Sequence, residues 1–236
     1  MAINVNKHYE FFQPDSVKEK IHIVGCGAIG STLAFMLAKL GLTDFVLYDE
    51  DVVEGKNVAN QMYRSIDIGK PKTEALKDML VEINPDIESR IELKGFYVDQ
   101  QLDGYVFMAV DSIDVRRKIV ECNKFNMNVV AMFDFRMRLE DAQHYAADWS
   151  SVKMKDELFA SMDFTEEEAQ ESTPRSACHE TLSIFYTITG IVGCGIENFV
   201  HFVKDKASMQ KMMFYNSKWH AIDTFNRDDV VAGGSL

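Results

Sequence analysis

Basic residues are in deficit: 25 lysines and arginines stand against 37 aspartates and glutamates in 236 residues, a formal charge of −12. A surface of that sign repels a phosphate backbone, which argues against nucleic acid as a partner. Paired cysteines are missing as well. Cys26, Cys122, Cys178 and Cys194 form no C-x-x-C pair, so neither a zinc ribbon nor a disulfide framework is indicated and free thiols are expected. No uncharged run suits a bilayer. Residues 21–38 extend over eighteen positions but contain Gly25, Gly27 and Gly30, and residues 181–196 stop at sixteen, against the roughly twenty that a span requires. The first twenty residues hold no apolar signal core, so the expected location is cytoplasmic, with no membrane partner. No internal repeat and no low-complexity tract is present.

What is present suits one globular unit with a sizeable core: 47% of residues are hydrophobic, with sixteen Phe and thirteen Met to fill it. IHIVG at 21–25 reads as a short buried strand, and Ile29, Leu33, Leu37 and Leu40 as a helix stopped by Gly41. FVLYD at 45–49 is a second strand; 71–83 has helical spacing and ends at Asn84-Pro85. YVFMAV at 105–110, a helix over about 113–125 and a strand NVVAMFD at 128–134 follow. Continuous apolar strands alternating with helices predict an α/β fold, Rossmann-like, with a mostly parallel central sheet flanked by helices.

Beyond Asp134 the pattern changes. RLEDAQHYAADW alternates like a partly exposed antiparallel strand. Residues 150–175 carry seven acids and three bases, and Thr165 with Glu168 fits a capping box, so this stretch is expected as an acidic loop or lid with a short helix in it. An apolar helix is expected over 180–203, then a hairpin from KMMFYN and KWHAID, which extends the sheet with antiparallel strands. The expected division of this single domain is a nucleotide-binding half at 1–149, a crossover loop or lid at 150–178, a C-terminal helix and hairpin at 179–226 and a tail at 227–236. The Gly233-Gly234 pair belongs to that tail.

The chemistry begins at Gly25-Cys26-Gly27-Ala28-Ile29-Gly30, between the first strand and the first helix. Glycines there permit a tight turn and bring backbone N–H groups close to a phosphate. Asp49 follows nineteen residues after Gly30, at a strand end where a carboxylate accepts from ribose hydroxyls. Together these indicate an adenine nucleotide without deciding which. The plainer alternative gives the glycines to helix–sheet packing and Asp49 to a turn.

Four further segments come in order: Asp49-Glu50-Asp51, Asn57-Val58-Ala59-Asn60-Gln61, Gly69-Lys70-Pro71-Lys72 and Asp111-Ser112-Ile113-Asp114-Val115-Arg116. With the glycine loop, this series resembles the ThiF/MoeB/HesA group and the adenylation domains of ubiquitin-activating enzymes, well over 15–135 and loosely over 173–203. The resemblance implies ATP and Mg²⁺ as cofactors. It gives Gly25, Gly27, Ala28 and Gly30 to the phosphate turn, Asp49 and Asp51 to the nucleotide, and Asn57 and Gln61 to orienting phosphates. Lys72 would bind phosphate, and Asp111 would position the metal. It further implies activation of the free C-terminal carboxylate of a ubiquitin-like or sulfur-carrier protein, or of a peptide, as an acyl adenylate, and a homodimer.

Two positions qualify this. The family has arginine where this chain has Asn60, which puts turnover in doubt, and Arg64, one helical turn later, is the candidate replacement. Cys178, in Thr173–Glu180, is the candidate thioester cysteine before the last long helix. A non-catalytic ATP-binding scaffold and an NAD-dependent oxidoreductase stay open as alternatives. The missing C-x-x-C pairs predict no structural metal.

Overall fold

The computed structural model describes residues 3–95, 97, 99–171, 174 and 182–225. Its centre is an eight-stranded sheet in the order β3-β2-β1-β4-β5-β6-β7-β8. The strands are β1 (Ile21–Val24), β2 (Phe45–Tyr48), β3 (Glu92–Lys94), β4 (Gly104–Met108), β5 (Val129–Met137), β6 (Asp141–Asp148), β7 (Met212–Asn216) and β8 (Ala221–Phe225). The first five run parallel, with Ile23 opposite both Leu47 and Phe107, and Val106 opposite Met132. β5–β6, β6–β7 and β7–β8 are antiparallel. This is the α/β architecture expected from the sequence, with its antiparallel C-terminal extension.

Apolarity explains which strands are central. β1, β2 and β4 are buried along their whole lengths, because helices cover both faces of the sheet. On one face lie α1 (Ala28–Lys39), α2 (Lys72–Ile83) and α6 (Phe185–Lys204), bringing Leu33, Leu37, Leu76, Leu80, Ile191 and Phe199 into the core. On the other lie α3 (Ile113–Asn123) and α4 (Val152–Ala160), which contribute Ile119, Val120, Met154 and Leu158. Phe107 stacks on Phe133 at 4.9 Å between ring centres, and Phe199 meets both edge-on, so β4, β5 and α6 share one aromatic contact set.

Three local differences from the sequence reading have physical causes. Charge counting over 150–175 hid α4, whose Met154 and Leu158 are four apart and buried, and whose N-terminus Ser151 caps by accepting from the Met154 N–H. The acidic helix α5 (Glu166–Glu171) does start from the Thr165–Glu168 capping box, with both reciprocal bonds formed. The β3 strand is short, polar and at the sheet edge, so no apolar run announced it. Among the described residues α6 begins at Phe185 rather than 180. The described helices include none long and apolar enough to cross a membrane.

One buried histidine ties the antiparallel part to α6. His144 on β6 is fully enclosed between Phe133 and Phe135; its Nε2 accepts from the Asn198 side chain at 3.1 Å and its Nδ1 donates to the Asp134 carbonyl at 3.2 Å. Burial pushes its pKa down to about 3, so the ring is neutral in the fold. An unfolded chain protonates this ring below about pH 6.5, whereas the folded one resists until about pH 3. Its contribution to stability is therefore intact above pH 6.5 and falls as the pH drops between those values, by about 1.4 kcal/mol per pH unit at the steepest. Urea titrations at pH 7, 6, 5 and 4 are expected to show that slope in wild type and to show it reduced by this amount in His144→Gln.

Candidate functional site

Strand order creates the site. From β1 the chain crosses one way to β2 and β3, and returns on the other side to β4 and β5, so the turns after β1 and β4 diverge and leave a crevice at the C-terminal edge of the sheet. A cleft of about 970 Å³ occupies that position. Gly25 and Gly27 after β1, Asp49 and Asp51 after β2, Lys72 at the start of α2 and Asp111 after β4 all line it.

The glycine turn is built by contact. Gly25 has φ +92°, and a Cβ on it would stand 2.8 Å from the Ala109 carbonyl of the neighbouring turn. A Cβ on Gly30 would overlap the Gly25 carbonyl oxygen, so α1 lies directly over the turn. Gly27 is different: nothing lies within 4 Å of the place its Cβ would take, and it ends the turn as the N-cap of α1 with no side chain capping the helix. The first N–H groups of α1 therefore open toward the cleft. Asp49 fixes this arrangement by accepting from the Cys26 N–H at 2.7 Å and the Asp51 N–H at 2.9 Å. Tyr63 closes it from below, donating to the Cys26 carbonyl at 2.6 Å and the Lys72 carbonyl at 3.2 Å. Cys26 is buried, which raises its thiol well above the ordinary range and makes it inert.

Lys72 is buried, and its ammonium rests on the Asp51 carboxylate at 2.6 Å. Asn57, buried, uses its side-chain oxygen to accept from the Glu54 N–H at 2.8 Å, a capping role that holds the 55–59 turn. Gln61 lines the cleft with a buried Oε1 that has no partner among the described residues. Asn60 donates to the Ser183 hydroxyl just before α6, and its own Oδ1 has no partner among the described residues.

The far wall comes from β4, α3 and β5. No hydrogen bond or ion pair engages Asp111 among the described residues, so its carboxylate is free to meet a cation from the cleft. Two residues on, Glu166 of α5 accepts from the Ile113 N–H at 3.1 Å and the Ser112 hydroxyl at 3.4 Å, capping α3 from outside. Beneath them Arg116 spans Asp134 and the carbonyls of Val110 and Phe135, while Arg136 reaches the same Asp134 at 2.7 Å and Ser161. Burial lowers both guanidinium groups below the usual arginine range, with Arg136 adding to the effect on Arg116.

A protein-family model matches residues 5–226 of this fold and site, and it is that of the ThiF family. The chain belongs to the ThiF family. Within it, the chain is similar to ubiquitin-like modifier-activating enzyme 5 of Caenorhabditis elegans, at 29% identity over 131 residues, 48% of this chain and 31% of that protein. It is also similar to the tRNA threonylcarbamoyladenosine dehydratase of Bacillus subtilis strain 168, at 28% over 141 residues, 56% of this chain and 55% of that protein. The chain spans less than two thirds of the length of these curated relatives. Among solved structures, PaaA aligns with a TM-score of 0.67 at 15% identity over 95% of this chain and 69% of that one. E. coli MccB with ATP aligns at 0.62 and 18% identity, over 93% and 68%. These last two share the fold.

Against the ThiF-family pattern, the structure gathers Gly25, Gly27, Ala28, Asp49, Asp51, Asn57, Gln61, Lys72 and Asp111 on one cleft. Gly30 stands behind it as a packing position. Arg64 is elsewhere: its guanidinium is taken by Asp67 at 3.0 Å and Glu82 at 3.0 Å, and it is absent from the cleft lining. Cys178 lies outside the described residues. Sequence reasoning missed Arg136, Arg138 and Glu166, which also line the cleft. The signal for the first two was the alternation Asp134, Arg136, Arg138, which a strand places on one face. Gly30→Ala is expected to destabilise the fold by more than about 2 kcal/mol because the overlap is with backbone. Gly27→Ala is expected to leave the melting temperature within about 2 °C, a change of less than about 1 kcal/mol, and to weaken nucleotide binding; thermal unfolding and calorimetry on both variants check this.

Proposed function

We propose that this chain binds ATP with Mg²⁺ in the switch-point cleft and activates a carboxylate as an acyl adenylate, releasing pyrophosphate. The observation that carries the reading is the convergence of Gly27, Asp49, Lys72 and Asp111, from four separate segments, onto one cleft. An oxidoreductase would use the first two and leave Lys72 and the uncommitted Asp111 without work.

The geometry suits the reaction. The open N-terminus of α1 and the vacancy beside Gly27 receive phosphate, and Asp49, whose oxygens already order the turn, keeps lone pairs for ribose hydroxyls. A carboxylate oxygen of the acceptor attacks the α-phosphorus, and the bond to pyrophosphate breaks with its electrons going to that leaving group. Lys72 can exchange Asp51 for phosphate oxygens and meet the charge that builds on them. Asp111 would hold the divalent ion through its carboxylate, which makes no hydrogen bond or ion pair among the described residues. When bound it supplies Lewis-acid neutralisation of the polyphosphate.

The acceptor in this reading is the free C-terminus of a ubiquitin-like or sulfur-carrier protein or of a peptide; relatives named as ubiquitin-like modifier-activating enzymes, and MccB in complex with N-formylated MccA, support a ubiquitin-like protein or a peptide. A homodimer and a cytoplasmic location complete the reading, which stops at the acyl adenylate. Asn60 in the arginine position favours one second reading, an ATP-binding scaffold without turnover.

Calorimetry is expected to show Mg-ATP binding that requires the metal and is lost in Asp111→Ala, with no comparable binding of NAD⁺. Pyrophosphate exchange into ATP, driven by a panel of ubiquitin-like proteins and peptides with free C-termini, is expected to fall by about 10²–10³ in Lys72→Ala. Tight Mg-ATP binding without exchange for any acceptor selects the scaffold; NAD⁺ preferred over Mg-ATP overturns the proposal.

A further inference from the structure

The cleft has too few free cations for a polyphosphate on the side where the family places one. At Asn60 it offers a neutral amide: Nδ2 donates to Ser183, and Oδ1, like the Oε1 of Gln61, is a buried oxygen with no partner among the described residues. Oxygens repel phosphate oxygens. Arg64, the nearest cation in sequence, is held by Asp67 and Glu82 off the cleft. Of the cations that do line the cleft, Lys72 sits on Asp51 and Lys56 on Glu54. Arg116 and Arg136 are held in place by bonds to Asp134, to main-chain carbonyls and to Ser161.

Arg138 is the exception. It follows directly on β5, its main-chain N–H is anchored to the Asp141 carbonyl at 2.7 Å, and its exposed side chain lines the same cleft. Among the described residues its guanidinium makes no hydrogen bond and no ion pair, so all five N–H donors are available. An arginine fork matches phosphate oxygens in pairs, and reaching them costs Arg138 no existing contact.

We propose that Arg138 is the arginine of this site: it grips the polyphosphate of ATP from the β5–β6 side, in place of the cation that Asn60 does not provide. The assignment rests on the ATP-binding reading above. Asn60 meanwhile works as a strut, tying the 55–61 segment to the entry of α6 through Ser183.

The test is calorimetry with Mg-ATP and, separately, AMP on wild type, Arg138→Gln, Arg138→Lys and the double variant Asn60→Arg/Arg138→Gln, each checked for folding by its thermal unfolding. Arg138→Gln is expected to weaken Mg-ATP by about ten- to a hundredfold, the range for a lost hydrogen bond to a charged group, and to leave AMP affinity unchanged. Arg138→Lys should lie between, and the double variant should regain most of the loss. Wild-type Mg-ATP affinity in Arg138→Gln, or an equal loss of AMP, overturns the assignment. A double variant that unfolds at the wild-type temperature yet shows no recovery overturns the exchange of roles with Asn60. Wild type that binds AMP but not Mg-ATP, or neither, overturns the ATP reading itself.

Discussion

Everything at the site depends on how closely α1 approaches β1. Neither Gly25 nor Gly30 has room for one more carbon: the first faces the Ala109 carbonyl, the second the carbonyl of Gly25. That contact brings the open end of a helix onto the sheet edge where β1 and β4 part. Asp49 and Tyr63 then hold the turn from β2 and from the segment before α2, so a single tight crossing recruits groups from residues 25 to 72. A looser crossing would leave the same residues on the surface without a common target.

Charge is the second constraint. Two arginines, Arg116 and Arg136, share the buried Asp134 carboxylate at the floor, and the negative charges of Asp111 and Glu166 also act on Arg116. Carbonyls and Ser161 anchor both guanidinium groups as well. The arrangement locks α3 to β5, with Arg136 lying 4.4 Å over the Tyr145 ring of β6. Among the described residues, Arg138 and the first N–H groups of α1 keep uncommitted donors at the cleft. Lys72 can be buried because Asp51 balances its charge.

The acidic segment belongs to this arrangement instead of hanging free of it. Glu166 caps α3 at Ser112 and Ile113, directly after Asp111, and Arg117 donates to the Phe164 carbonyl at 2.8 Å. A carboxylate at a helix N-terminus is stabilised by the dipole it faces, so α5 is fastened to the same edge of the sheet that forms the cleft. Composition alone described this stretch as a charged loop, because seven acids outweighed the two buried apolar positions that make α4 a helix.

The sequence by itself determined the parallel half, the glycine turn and the order of Asp49, Lys72 and Asp111, because those depend on local rules: continuous apolar strands, helical spacing, and glycine where a side chain has no space. It determined the closing hairpin for the same reason. Tertiary structure decided which charges are free. Arg64 reads from its position as a phosphate ligand, yet Asp67 and Glu82 claim it; Asn60 reads as a lost arginine, yet it joins Ser183, 123 residues away. Arg138 reads as an ordinary turn residue until every other cation of the cleft is seen to be occupied. A spacing motif records where a side chain starts along the chain. Its partner is set by whatever distant segment the fold brings within about 3 Å, the reach of a hydrogen bond.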